Sequence, residues 1–223
     1  MPAPSVSSSG AYVTAQNDLA INTGVTLAGT GNLLLIVEQS AKALIAGMIT
    51  PKLDGADMTQ VGTTNGPLSR FVAVTTAGAH TLTTRTSGGA YEAHLISWRT
   101  YQDTATSGAR YQNPQNFSDS STAPSSGSLT CPTDGALDAG YVKSYSGTAP
   151  TISAGTQLGA LFDGGTGNSM AGGTRSSTGA ISWSSGDSNA WYLSALEILG
   201  AAGGGSTSSP PPSRRFFLPI LNH

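Results

Sequence analysis

The sequence predicts an all-β protein, a two-sheet antiparallel β-sandwich followed by an extended C-terminal tail. Short runs rich in Val, Ile, Thr, Tyr and Trp recur between Gly, Asn, Asp and Pro breakers, and branched and aromatic side chains suit a pleated, half-buried surface. No stretch keeps a capped 3.6-residue apolar period long enough for a stable helix. Only 10 % of the 223 residues are charged, against about 25 % in ordinary domains. Ser, Thr, Gly and Ala make up the difference, which is too little charge for solvated helices and unlike the charge-rich composition of disordered chains.

Taken in order, residues 1–10 read as a Pro/Ser-rich N-terminal extended arm and residues 11–202 as the sandwich. Strands are expected at 32–38, 44–50, 70–76, 80–86, 92–101, 139–145, 158–162, 180–184 and 190–199. Leu33, Leu34, Leu35, Ile36 and Val37 form an unbroken apolar run, which suits a central strand. Around His80, Leu82, Thr84 and Thr86 only one face carries an apolar residue, so that strand is expected near an edge. The closing strand puts Trp191, Leu193, Ala195 and Glu197 on one face and Tyr192, Ser194, Leu196 and Ile198 on the other. Asp54-Gly55 suits a tight hairpin turn, because Gly tolerates positive φ. Residues 39–49 are the best helical candidate, weakened by Gly47 and the β-branched residues. Residues 103–127 carry Pro114, Pro124 and many Ser, Asn and Gln, and read as a long crossover between the halves of the sandwich.

The last segment differs from all that precedes it. Residues 203–213 form a Gly/Ser linker that stiffens into Pro210-Pro211-Pro212. Residues 214–223 then place Arg214 and Arg215 beside Phe216, Phe217, Leu218, Pro219, Ile220 and Leu221. A free apolar tail invites aggregation. We therefore expect it to be a docking peptide, with Arg214, Arg215, Phe216, Phe217, Leu218, Ile220 and Leu221 as its partner-binding residues. Docking onto its own domain is the alternative.

Several function classes are disfavoured. The lysines are confined to Lys42, Lys52 and Lys143 and the arginines are scattered, so the clustered positive footprint of a nucleic-acid binder is missing. Cys131 is the one cysteine, which permits no intrachain disulfide and, beside Pro132, suits a small buried role. No run approaches a membrane span, and residues 1–5 lack the basic and apolar parts of a secretory signal, so we expect a chain made in a cytoplasm.

Chemistry finds little purchase. The three histidines come with no Gly-x-Ser-x-Gly elbow, and Glu92 with His94 reads as a polar pair on one strand face. Zinc needs three or four ligands. Residues 54–57 and 163–168 offer oxygens for calcium but lack the twelve-residue loop, and turn preferences explain both. Glu38, Glu92, Asp103 and Glu197 are candidates for a glycosidase pair, each near a strand end where solvated carboxylates are ordinary. No catalytic residue, metal or cofactor is expected. Trp183, flanked by Ser182 and Ser184, and Tyr111 are the candidate aromatic platform for a glycan.

Five pieces in a fixed order carry a resemblance. They are residues 31–37, residues 52–62, Ala77-Gly78-Ala79-His80-Thr81-Leu82-Thr83, residues 92–103 and residues 191–198. Over roughly residues 25–200 this order resembles a jelly-roll-like β-sandwich module of tailed-bacteriophage structural proteins. The resemblance implies a non-catalytic virion component, such as a head decoration, head fibre or tail-associated protein. It would assemble with capsid, neck or tail proteins and as a homo-oligomer, without nucleic acid or membrane. The motif is structural, so it transfers no functional residue, and the module does not require the tail. A carbohydrate-binding adhesion module that contacts host surface glycans is the second expectation.

Overall fold

The computed structural model describes residues 3–14, 21–41, 48–86, 94–143, 148–163, 167–185 and 188–201. The regular elements among them are all strands. They are β1 (Ser5–Thr14), β2 (Ile21–Leu27), β3 (Leu33–Ala41), β4 (Met48–Leu53), β5 (Ala56–Asp57), β6 (Thr59–Gln60), β7 (Leu68–Thr75), β8 (Gly78–Thr86) and β9 (His94–Gln102). There follow β10 (Tyr111–Ser120), β11 (Ala136–Lys143), β12 (Thr151–Ala154), β13 (Thr156–Asp163), β14 (Asn168–Arg175), β15 (Ser182–Ser184) and β16 (Ala190–Ile198). All pairings are antiparallel. The expected all-β sandwich is what the chain forms, and it forms it twice.

Two five-stranded sheets, ordered β1-β9-β3-β7-β6 and β10-β16-β11-β14-β13, face each other at the middle of the molecule. The four-stranded sheet β2-β8-β4-β5 covers the outer side of the first. The pair β12-β15 covers the second, widened where residues 122–129 run beside 179–185 through bonds such as Ser126 N to Ile181 O (3.0 Å) and Trp183 N to Pro124 O (2.9 Å). The two halves share one topology. In each inner sheet the half's first strand lies at an edge beside its last strand, and the first long apolar strand is the middle one. This is the jelly-roll arrangement of two sheets joined by long connections.

Each layer boundary has its own apolar filling. Val25, Leu27, Leu35, Val37, Phe71 and Leu82 fill the outer boundary of the first half, and Tyr141, Trp183, Trp191 and Leu193 that of the second. Leu34, Ile36, Val72, Tyr101, Leu196 and Ile198 meet between the inner sheets. β3 is therefore buried on both faces, which is why its sequence does not alternate.

Three regions differ from the sequence reading. β8 is an interior strand of its sheet, and its half-polar pattern arises because one face of that sheet meets solvent. Residues 5–10 belong to β1, which pairs with β9 along its length. The stretch at 103–127 contains β10, an edge strand with only Tyr111 and Phe117 half-buried, whose register breaks between Gln112 and Gln115 beside Pro114. Of the helical candidate 39–49, residues 42–47 lie outside the described residues, and the flanks belong to β3 and β4. Asp54 (φ 51°) and Gly55 (φ 84°) make the expected tight turn.

Candidate functional site

The deepest polar feature lies where the two inner sheets meet. Glu38 on β3, Arg70 on β7, Arg99 on β9 and Asp138 on β11 are buried together. Arg70 Nε donates to Glu38 Oε1 at 2.8 Å. Arg99 Nη1 and Nη2 donate to Glu38 Oε2 (2.9 Å) and Oε1 (3.1 Å). Arg99 Nε donates to Asp138 Oδ2 at 2.5 Å, and Tyr101 Oη donates to the same oxygen at 2.8 Å. Arg70 Nη2 also bonds Glu38 Oε1 and the Ser194 carbonyl, and Arg99 Nη2 bonds Asp138 Oδ1.

Strand register explains how four charges fit there. Glu38 lies opposite Ser97 and Arg70 in the first inner sheet. The corresponding place in the second, opposite Ser194, is Gly140, with Gly172 beyond it. A β-carbon at Gly140 would fall on the Glu38 carboxylate, and one at Gly172 would come within 3.0 Å of Arg99 Nη1. The first half supplies long charged side chains, and the second supplies glycines that receive them.

Two carboxylates and two guanidiniums balance within the cluster. Burial alone would raise the Asp138 carboxyl, but Arg99 and Arg70 outweigh it and hold its pKa below the ordinary value. Burial likewise works against the Arg99 cation, and Asp138 and Glu38 reverse this, holding its pKa well above the usual range. Burial, then the Asp138 charge, pushes the Tyr101 hydroxyl well up. Each of the four side chains is desolvated and hydrogen-bonded to another member, with Arg70 Nη1 left buried and without a hydrogen-bond partner among the described residues, so the cluster ties the two sandwiches together. Glu38, a candidate glycosidase carboxylate, is spent in this network. A second inter-sandwich clamp is Asn65, whose Nδ2 donates to the carbonyls of Phe117 (2.8 Å) and Leu193 (2.9 Å).

Among the other sequence candidates, Glu197 accepts from Gln112 (2.7 Å) and Asn113 (2.9 Å) side chains. Asp103 sits in a turn at φ 59°. Glu92 lies outside the described residues. Asp163 and Asn168 close the β13–β14 turn, and Gly167 N donates to Asp163 O at 2.7 Å. Burial and then Glu197 raise the Cys131 thiol, in keeping with a packing role. Among the described residues no group of three or more His, Cys, Asp and Glu is placed to hold a metal. His80 Nδ1 meets Asp54 Oδ2 at 2.6 Å on the outer surface.

Trp183 does not form a platform. It is fully buried and stacks on Tyr141 at 5.3 Å between ring centroids, because the β12–β15 layer turns it inward onto the second inner sheet. Tyr111 is half-buried and lines a groove of about 390 Å³ with Leu34, Val72, Val74, Ala109 and Arg110. A second groove, about 660 Å³, follows β10 past Asn116, Phe117, Ser118, Asp119, Ser121 and Trp191. Neither groove is announced by a sequence motif. Arg214, Arg215, Phe216, Phe217, Leu218, Ile220 and Leu221 lie outside the described residues.

Fold and cluster together define an all-β protein made of two locked antiparallel sandwiches. No protein-family model, curated protein or solved structure matches the chain.

Proposed function

We propose that this chain is a non-catalytic structural component of a virus particle, a phage virion accessory such as a head decoration, head fibre or tail-associated protein. The peptide at residues 214–221 anchors it, and the locked sandwiches form the displayed body. One observation carries the reading: the described fold ties its last residues, Leu199 and Ala201, back to the start of the second half. Leu199 N donates to Arg110 O (2.9 Å) and Ala201 N to Asp103 O (3.0 Å), which closes the second half before the Gly/Ser/Pro linker begins. Further support comes from the buried charges, which serve cohesion, and from the resemblance of the sequence pieces over roughly residues 25–200 to phage structural modules. In the bound state Phe216, Phe217, Leu218, Ile220 and Leu221 fill apolar pockets of a neighbouring particle protein, and Arg214 and Arg215 meet its carboxylates. Each buried apolar side chain contributes about 1.5–3 kcal/mol before ordering costs.

The test compares the full chain with one ending at Ala202, for folding and for binding to particles of the source. The reading expects the shortened chain to fold and lose binding. Retained binding would place the attachment surface on the sandwiches instead.

A second reading, adhesion to a host glycan, is favoured by the β10 groove, where Phe117 and the hydroxyl and carboxylate groups of Ser118 and Asp119 lie together. It requires binding on a glycan array that Phe117→Ala abolishes.

A further inference from the structure

Among the described residues, the core between the two inner sheets is open at one end. Val72 and Leu34 belong to that core, but beyond them Val74 on the same face of β7 is 55 % exposed, the one exposed large apolar residue among those described. The opposite wall is the segment leading into β10, so Leu34, Val72, Val74, Ala109, Arg110 and Tyr111 line an open groove of about 390 Å³.

The groove also has a free sheet edge. β6 is two residues long and pairs only as far as Thr59 with Val72. Val61 N donates to Arg70 O at 2.9 Å, so Arg70 turns its backbone groups toward β6. Backbone groups alternate along an antiparallel strand. Val74 therefore points its N–H and C=O the same way, past the end of β6, where among the described residues no strand pairs with them. An unpaired edge of this kind accepts an extended peptide, and the adjoining pockets take its side chains.

The chain leaves the fold beside this groove. Leu199 N bonds the carbonyl of Arg110, itself a groove residue, and Ala201 is bonded to Asp103. Residues 202–215 can span roughly 45–50 Å when extended, at about 3.3–3.6 Å per residue, far more than this separation requires. They lead to Phe216-Phe217-Leu218-Pro219-Ile220-Leu221.

We propose that, in the free chain, residues 216–221 dock into the chain's own groove, extending the β7 edge at Val74 and closing the open end of the inter-sheet core. A short flexible linker gives an effective concentration of about millimolar, so an intrinsic dissociation constant of about 0.1 mM suffices to keep the groove roughly nine-tenths filled. Pro219 is compatible with such an edge position, because a strand at a sheet edge needs only one of its sides for pairing. The inference goes beyond the anchoring reading and does not depend on it. It concerns the free chain, whose tail a particle would have to win from the groove.

The experiment is hydrogen exchange of the Val74 amide by NMR, in the full-length chain and in a full-length Phe217→Asp/Leu218→Asp variant. Both substitutions lie after Ala201, the last described residue, and retained amide dispersion in the variant's spectrum shows that the sandwiches stay folded. Docking predicts Val74 exchange about tenfold slower in the unaltered chain than in the variant, given that occupancy, at every protein concentration. Equal exchange in the two proteins overturns the proposal. Protection that disappears on dilution overturns it too, because the groove is then filled by the tail of a second copy.

Discussion

Removing one cation from the inter-sandwich cluster should be among the most damaging single changes in the described fold. In Arg99→Met, Glu38 keeps Arg70 Nε at 2.8 Å. Asp138 loses the Arg99 bonds and keeps Tyr101 Oη at 2.8 Å and a more distant Arg70 Nη2 at 3.3 Å. The site then holds two carboxylates against one guanidinium, with no solvent to screen the excess. Breaking a buried ion pair by deleting one partner costs about 3–5 kcal/mol. For a fold of this size, at about 2–4 °C per kcal/mol, that is a fall in Tm of roughly 6–20 °C. Arg99→Met/Asp138→Leu removes one charge of each sign and leaves the Glu38–Arg70 pair intact. It should be less destabilised than the sum of the two single variants by about 1–3 kcal/mol, the usual coupling of groups in one network. The assay is thermal and urea unfolding of the four proteins of this cycle. A loss below about 1 kcal/mol for Arg99→Met, as for surface pairs, or strict additivity of the double variant, would refute the reasoning.

Gly140→Ala places a methyl group on the Glu38 carboxylate and should cost about 1–3 kcal/mol as an overpacking change, read by urea unfolding, whereas Gly31→Ala, which has no neighbour but a positive φ, should show only the smaller backbone penalty. Asn65→Asp turns a donor into an acceptor facing the Phe117 and Leu193 carbonyls and should lose about 1–3 kcal/mol, more than Asn65→Ala; the reverse order would contradict the clamp. The hydrogen bond to Asp54 raises His80 above its ordinary 6.5, and the bond from His80 lowers Asp54 below 3.8. The His80 contribution is thus complete below pH 6.5 and fades as pH rises through the raised histidine value, while that of Asp54 is complete above pH 3.8 and fades as pH falls through the lowered carboxylate value. An NMR titration should place the His80 midpoint above 6.5 and Asp54→Asn should bring it down; an unchanged midpoint would refute the pairing.

Strands that carry their own apolar pattern were legible from the sequence. β3, β7, β9, β11 and β16 bury side chains such as Leu35, Phe71, Ile96, Tyr141 and Leu193, and their composition announces it. The elements that escaped are those whose small or polar residues are dictated by something distant in the chain. β14 reads Asn168-Ser169-Met170-Ala171-Gly172-Gly173, which resembles a turn. Gly172 is small because Arg99 lies over it, and Gly173 because Ile181 and Trp183 do. β10 is an edge strand with few buried side chains, so it shows no alternation. The doubling of the fold was invisible for the same reason. The halves are complementary at their interface, with Glu38 facing Gly140, and complementarity leaves no repeat in the sequence. The charge cluster had no local motif either, since its four members come from four strands 138 − 38 = 100 residues apart at the extremes. The serine neighbours of Trp183 suggest exposure, whereas a strand flanked by serines can still turn its middle residue into a core, as it does here.

The account assigns display to the sandwiches and attachment to the tail, and the most direct test asks whether the tail suffices. Residues 203–223 would be fused to an unrelated soluble carrier protein and mixed with particles of the source that lack this chain. Co-sedimentation of the carrier with the particles is predicted, and Phe217→Asp/Leu218→Asp in the fused segment should abolish it. A carrier that stays in the supernatant, while the intact chain sediments with the same particles, would contradict the account.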